Sequence, residues 1–119
     1  MRWIDYKKKK NTCLYGYDSF RLVLSPLVYV QEEKLLLKTG EYLKSIGNNA
    51  LVICDNNIYK KFYGDLHGSL KDNNIANNVF IFSGECCPEE INKIIESIKE
   101  KKADFVFGIG GGKTLDTAK

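Results

Sequence analysis

At 119 residues the chain is long enough for one domain and too short for two. It is 44% hydrophobic and 28% charged with a net charge of +3, the balance of an ordinary soluble globular protein. No run of about 18 apolar residues occurs, which excludes a membrane-spanning helix, and Lys7–Lys10 leads into polar residues rather than the apolar core of a signal peptide.

A cytoplasmic location with no membrane partner is therefore expected. Much of the positive charge sits in Lys7–Lys10, which reads as a solvated lysine run. A nucleic-acid surface would need a basic face with readout residues, so no nucleic-acid partner is expected. Cys13, Cys54, Cys86 and Cys87 show neither C-x-x-C nor metal-ligand spacing, and reduced cytosolic thiols are the simplest reading. His67 is the sole histidine, so the chain contains no histidine cluster for a metal and no Ser-His-Asp triad.

Residues 1–22 read as an irregular N-terminal extension, aromatic and basic with no sustained period. Leu22–Val30 is strand-like but broken by Pro26, which suits an edge position. From Glu33 the period becomes helical: Leu35, Leu36, Tyr42, Leu43 and Ile46 share a face, and Gly47 stands where a capping glycine belongs. Gly40 inside that helix costs about 1 kcal/mol relative to alanine. Ala50–Cys54 is an all-apolar strand that ends at Asp55. Ile58, Phe62, Leu66 and Leu70 predict a second helix, in which Gly64 and Gly68 either weaken the helix or admit a close neighbour.

Asn73-Asn74 and Asn77-Asn78 are turn-like, and Val79–Phe82 predicts a third strand. Ser83–Cys87 is then a loop, and Pro88 suits the first position of a helix, with Glu89 and Glu90 complementing its dipole. Ile91, Ile94, Ile95 and Ile98 form the cleanest apolar stripe in the chain. Phe105–Ile109 is a final strand, and Gly110, Gly111 and Gly112 follow it directly. Short apolar strands alternating with helices predict an α/β fold: a Rossmann-like parallel sheet covered on both faces. In such sheets ligands bind outside the carboxyl ends of the strands. Asp55, the Ser83–Cys87 loop and Gly110–Gly112 should share that edge.

The order strand, glycine turn, helix suits an anionic oxygen. Glycines allow close backbone approach, and the helix start offers unpaired N–H groups. The alternative is a tight turn with no ligand. Two phosphate motifs nearly fit. A P-loop ending in Gly112-Lys113-Thr114 needs a glycine at Phe107, and G-x-G-x-x-G begun at Gly108 finds Lys113 in its last place. Lys113 and Thr114 could reach phosphate oxygens. Asp116 could face the same ligand or simply favour the dipole as a first-turn carboxylate. Asp55 could accept ribose hydroxyls or cap the next helix. It precedes Gly112 by 57 residues, so this is not the usual Rossmann spacing.

Gly108-Ile-Gly-Gly-Gly-Lys-Thr-Leu-Asp-Thr-Ala-Lys119 resembles the NAD-binding signature of glycerol dehydrogenases, within the metal-dependent (iron or zinc) polyol and alcohol dehydrogenases. Ser25–Gln31, Thr39–Leu43, Leu51–Asp55 and Gly84–Ile91 resemble further segments, so the likeness covers residues 23–119. Glu32 departs from it, standing where relatives usually carry glycine, and residues 1–22 have no counterpart. The resemblance implies that 23–119 is a partial, truncated N-terminal NAD-binding domain. Asp55 would bind the adenosine ribose, Gly110, Gly111, Gly112 and Lys113 would contact the pyrophosphate region, and Asp116 would line the cofactor site, with Thr114 counted among the cofactor-binding residues.

The reaction it implies is oxidation of glycerol, or a similar small polyol, by NAD to dihydroxyacetone and NADH, in an enzyme that forms a homo-oligomer when full length. The zinc or iron ligands and the helical metal-binding domain would lie beyond Lys119. No catalytic or metal-ligating residue is therefore expected in these 119, and the chain alone should be inactive. Two alternatives are a glycerol-1-phosphate dehydrogenase or dehydroquinate synthase relative, and a non-enzymatic nucleotide-binding remnant.

Overall fold

Five consecutive apolar residues, Ala50–Cys54, can all be buried only if both faces and both edges of their strand are covered. The structure, a computed structural model that describes residues 30–119, places them accordingly. β1 (Asn49–Cys54) is the central strand, and Ala50 through Cys54 are completely buried. β2 (Ala76–Ile81) pairs with it on one side and β3 (Phe105–Gly108) on the other, both in parallel, giving the order β2-β1-β3. Val52 is the register point for both neighbours, opposite Val79 in β2 and Phe107 in β3.

Side chains alternate across β1 and so feed two cores. Ala50 and Val52 pack with Leu66, Leu70 and Ile75, against α2 (Asn56–Asp72) and α1 (Thr39–Leu43). Leu51 and Ile53 pack with Phe82 and Ile94 on the opposite face, under α3 (Pro88–Lys101) and α4 (Gly112–Ala118), which contributes Ala118. The expected α/β, Rossmann-like parallel sheet is thus the observed one.

The first helix differs from its prediction. A 3-10 helix, Leu35–Lys38, precedes a five-residue α1. Leu36 and Leu43 reach the core, whereas Tyr42 and Ile46 stay exposed. Gly40 explains the docking: its N–H donates to Ser69 Oγ at 2.9 Å, and a Cβ there would lie 2.2 Å from the Ser69 carbonyl oxygen. The glycine that weakens α1 as an isolated helix is the one that lets it lie against α2. Gly64 and Gly68 are the opposite case, since no atom lies within 4 Å of a Cβ built on either.

β2 starts three residues before the predicted strand. Asn77 and Asn78 are in it rather than in a turn, because the Ala76 N–H donates to Asn48 O and the ladder runs on from there. The turn is at Asn73-Asn74, where Asn74 adopts φ 58°. The predicted 1–22 extension and residues 22–29 of the strand expected at Leu22–Val30 lie outside the described residues.

Two features mark the outer surface. Among the described residues β3 pairs on one side only. An open apolar groove of about 280 Å³ runs beside it, lined by Ile53, Ile91, Ile95, Ile98, Val106 and Ala118. Ile91 and Ile95, half of the isoleucine stripe, are about two-fifths exposed. No helix of the described residues is long and apolar enough to cross a membrane.

Candidate functional site

Because all three strands run in parallel, their carboxyl ends deliver Asp55, the 83–87 loop and the glycine turn to one edge. Backbone bonds hold the strand exits together there. The Phe82 N–H donates to Cys54 O at 2.8 Å, and the Ile109 N–H donates to Ile53 O at 2.9 Å.

Asp55 is the N-cap of α2. It has extended φ/ψ (−79°, 169°), and its Oδ1 accepts the Ile58 N–H at 2.8 Å. This satisfies one orphan donor of the helix. The half-buried carboxylate also borders the open edge, and the cap engages one of its two oxygens, so the two readings of Asp55 are compatible.

The glycines of the turn divide by function. A Cβ on Gly108 would lie 2.7 Å from Ala118 Cβ, so this glycine brings β3 and α4 into close contact. Gly110 has φ +149° and would place a Cβ 3.0 Å from Thr114 Oγ1, so both backbone and space demand glycine. Gly111 and Gly112 need no glycine for either reason. Both have open space where a Cβ would be, and Gly111 is the extended N-cap of α4. Among the described residues no atom lies within 4 Å of a Cβ built on either, so the backbone of 111–112 is open at the start of α4.

Thr114, by contrast, is 3% exposed and packs beneath Gly110. The structure makes it a support of the turn. Asp116 sits beyond the first turn of α4, where it does not serve the dipole, and its carboxylate lies 3.5 Å from Lys119 Nζ. Lys113 is well exposed, with Nζ 2.7 Å from Glu85 Oε1 on the 83–87 loop. The edge therefore brings together Asp55, Gly110–Gly112 and Lys113, with Thr114 behind them and Asp116 further along the helix.

Two acidic residues at this edge make contacts that sequence reasoning did not predict. Glu85 was legible only as part of a loop. Glu90 is 6% exposed in the first turn of α3, with Oε1 3.1 Å from Lys93 Nζ and Oε2 buried without a hydrogen-bond partner. Lys93, together with the neighbouring Ser83, holds its carboxyl below the usual range. The three-residue Glu90–Lys93 spacing was the available signal. Among the described residues, no group of three or more His, Cys, Asp or Glu is placed to hold a metal ion.

The family description "iron-containing alcohol dehydrogenase" matches residues 26–119. Among curated proteins, a glycolaldehyde reductase of Halobacterium salinarum is 36% identical over 95 residues, covering 80% of this chain and 26% of the relative. A glycerol dehydrogenase of Pseudomonas putida is 35% identical over 99 residues, covering 83% of this chain and 27% of its own length. The crystal structure of glycerol dehydrogenase from Schizosaccharomyces pombe superposes with a TM-score of 0.75 at 27% identity, over 83% of this chain and 25% of that one. The chain thus spans about a quarter of the length of the relatives it matches.

Proposed function

Because the chain belongs to the iron-containing alcohol dehydrogenase family, we propose that residues 23–119 form the N-terminal part of the NAD-binding domain of a glycerol dehydrogenase-like oxidoreductase. The observation that carries this reading is the open backbone over Gly111 and Gly112, on the same sheet edge as the Asp55 carboxylate. A dinucleotide needs a diphosphate cradle and a ribose acceptor, and this edge supplies both kinds of group. The free Asp55 oxygen would accept a ribose hydroxyl. The backbone of 110–112 and Lys113 Nζ would take the diphosphate. Thr114 would hold the turn from below, and Asp116 would border the cofactor.

In the whole protein the reaction would be reversible. A hydride leaves the carbinol carbon of glycerol or a similar small polyol for the nicotinamide ring, and the hydroxyl proton is released, yielding a ketone or aldehyde and NADH. The zinc or iron of such an enzyme supplies polarisation of the alcohol oxygen when bound. The role proposed for residues 30–119 is cofactor binding. Glycerol is favoured as substrate by the similarity to the Pseudomonas putida and Schizosaccharomyces pombe enzymes.

Titration of the chain with NAD and with ATP, followed by thermal shift and by amide NMR shifts, tests the reading. A ligand that binds only the native state raises its stability. NAD should shift the amides of 110–113 and raise the melting temperature more than ATP at equal concentration. Preference for ATP would replace this reading with a P-loop-like one. The chain alone should give no glycerol-dependent NADH, and a metal-dependent signal would overturn that expectation.

A further inference from the structure

The ammonium of Lys113, assigned above to the diphosphate, already has an anionic partner in the structure. Glu85 Oε1 lies 2.7 Å from Lys113 Nζ, across 28 residues of sequence and between two different strand exits. Both side chains are open to solvent, 75% for Glu85 and 66% for Lys113. An ion pair so exposed contributes little net stability, because water serves both partners nearly as well. Gly84, immediately before Glu85, has φ +111°, a conformation that side-chain-bearing residues rarely adopt. The loop carries a weak, displaceable carboxylate beside Lys113.

We infer that Glu85 is a built-in competitor for Lys113, an acidic gate that the cofactor's diphosphate displaces and that disfavours more highly charged phosphates. The inference rests on the NAD-binding reading of this edge. While paired, the carboxylate neutralises the lysine and repels any arriving anion. Repulsion grows with the ligand's charge, so tetra-anionic ATP meets more of it than the doubly charged diphosphate bridge of NAD. At a separation of about 7 Å in water, one unit of ligand charge changes affinity about threefold before salt screening. Glu85 is thus a specificity-determining residue acting through charge and through its hold on Lys113.

The test is amide NMR titration of the chain with NAD and with ATP at low salt and at about 1 M salt, where screening acts within about 3 Å. Wild type, Glu85→Gln, Glu85→Ala and Lys113→Gln are compared, and amide dispersion confirms that each is folded. Lys113→Gln should weaken NAD. Both Glu85 variants should tighten NAD by somewhat under tenfold at low salt, about threefold for each of the two diphosphate charges, and tighten ATP by a larger factor, with both gains lost at high salt. In Glu85→Gln/Lys113→Gln the gain should shrink, as expected for coupled residues. If the Glu85 variants bind NAD as wild type does, or more weakly, while Lys113→Gln still weakens it, the gate is wrong and the cofactor reading stands. If NAD moves no amide of 110–113 in wild type, the cofactor reading fails and the gate with it.

Discussion

The Asp55 carboxylate accepts the Ile58 backbone N–H at 2.8 Å, so the acid proposed to hold a ribose also starts the longest helix of the described residues. The two roles separate by substitution. Asparagine caps a helix about as well as aspartate, whereas alanine costs about 1 kcal/mol. Asp55→Asn should keep the urea midpoint within a few tenths of a kcal/mol of wild type and still weaken NAD. Asp55→Ala should lose both. If Asp55→Asn binds NAD as tightly as wild type, Asp55 is a cap and nothing more.

Gly40 and Ser69 make the tightest approach at any glycine of the described residues. Gly40→Ala should destabilise the fold by about 1–3 kcal/mol, because the added methyl meets a backbone carbonyl that cannot move without shifting α2. Gly64→Ala and Gly68→Ala meet nothing within 4 Å. Each should stabilise α2 by up to about 1 kcal/mol through helix propensity alone. Urea unfolding of the three variants checks the contrast, and a stabilised Gly40→Ala would show that α1 does not dock on α2 as described.

Periodicity and composition made the sheet legible. Ala50–Cys54 could only be a doubly covered strand, and the Leu66/Leu70 and Ile94/Ile98 spacings named the helices that cover it. Contact-dependent features were not legible. Asn77 and Asn78 look like turn residues, yet they enter β2 because β1 offers a hydrogen-bonding edge beside them. In the same way the Gly40 approach to Ser69 and the Lys113–Glu85 pair join positions 29 and 28 residues apart, where no local pattern can point. Within the site, the glycine run was visible as a motif. That Gly110 serves the backbone while Gly111 and Gly112 leave open space needed coordinates.

That division makes its own prediction. Gly110→Ala combines a strained φ of +149° with a 3.0 Å contact to Thr114 Oγ1 and should cost about 1–3 kcal/mol. Gly112→Ala sits at the first position of α4 with open space around it and should leave stability unchanged or slightly raised. It should nevertheless weaken NAD severalfold, since its methyl occupies the space assigned to the diphosphate. Denaturation and NAD titration of the pair distinguish a turn built for ligand approach from one built only for the chain. Intact NAD binding in Gly112→Ala would favour the second.

Cys54, Tyr63 and Glu90 are among the described groups through which stability depends on pH. Burial pushes the Cys54 thiol up, with the nearby Asp55 carboxylate adding to it, and burial likewise raises the Tyr63 phenol. A raised value means that the folded state holds its proton more tightly. The associated stability is complete below the unfolded value, about 8.5 for the thiol and about 10 for the phenol, and is lost as pH rises through the folded value. Glu90 has the opposite sign. Its carboxyl is held low, chiefly by Lys93, so its contribution is present above about pH 4.3 and disappears as pH falls through the folded value. Urea midpoints measured from pH 3 to pH 11 should therefore form a plateau from about pH 5 to 8 with a decline on each side. Cys54→Ala should lower the plateau by about 1–2 kcal/mol through lost packing and flatten the first part of the alkaline decline. Glu90→Gln should flatten the acid decline. An unchanged alkaline slope in Cys54→Ala would mean that this thiol does not titrate with unfolding and that Tyr63 carries that limb.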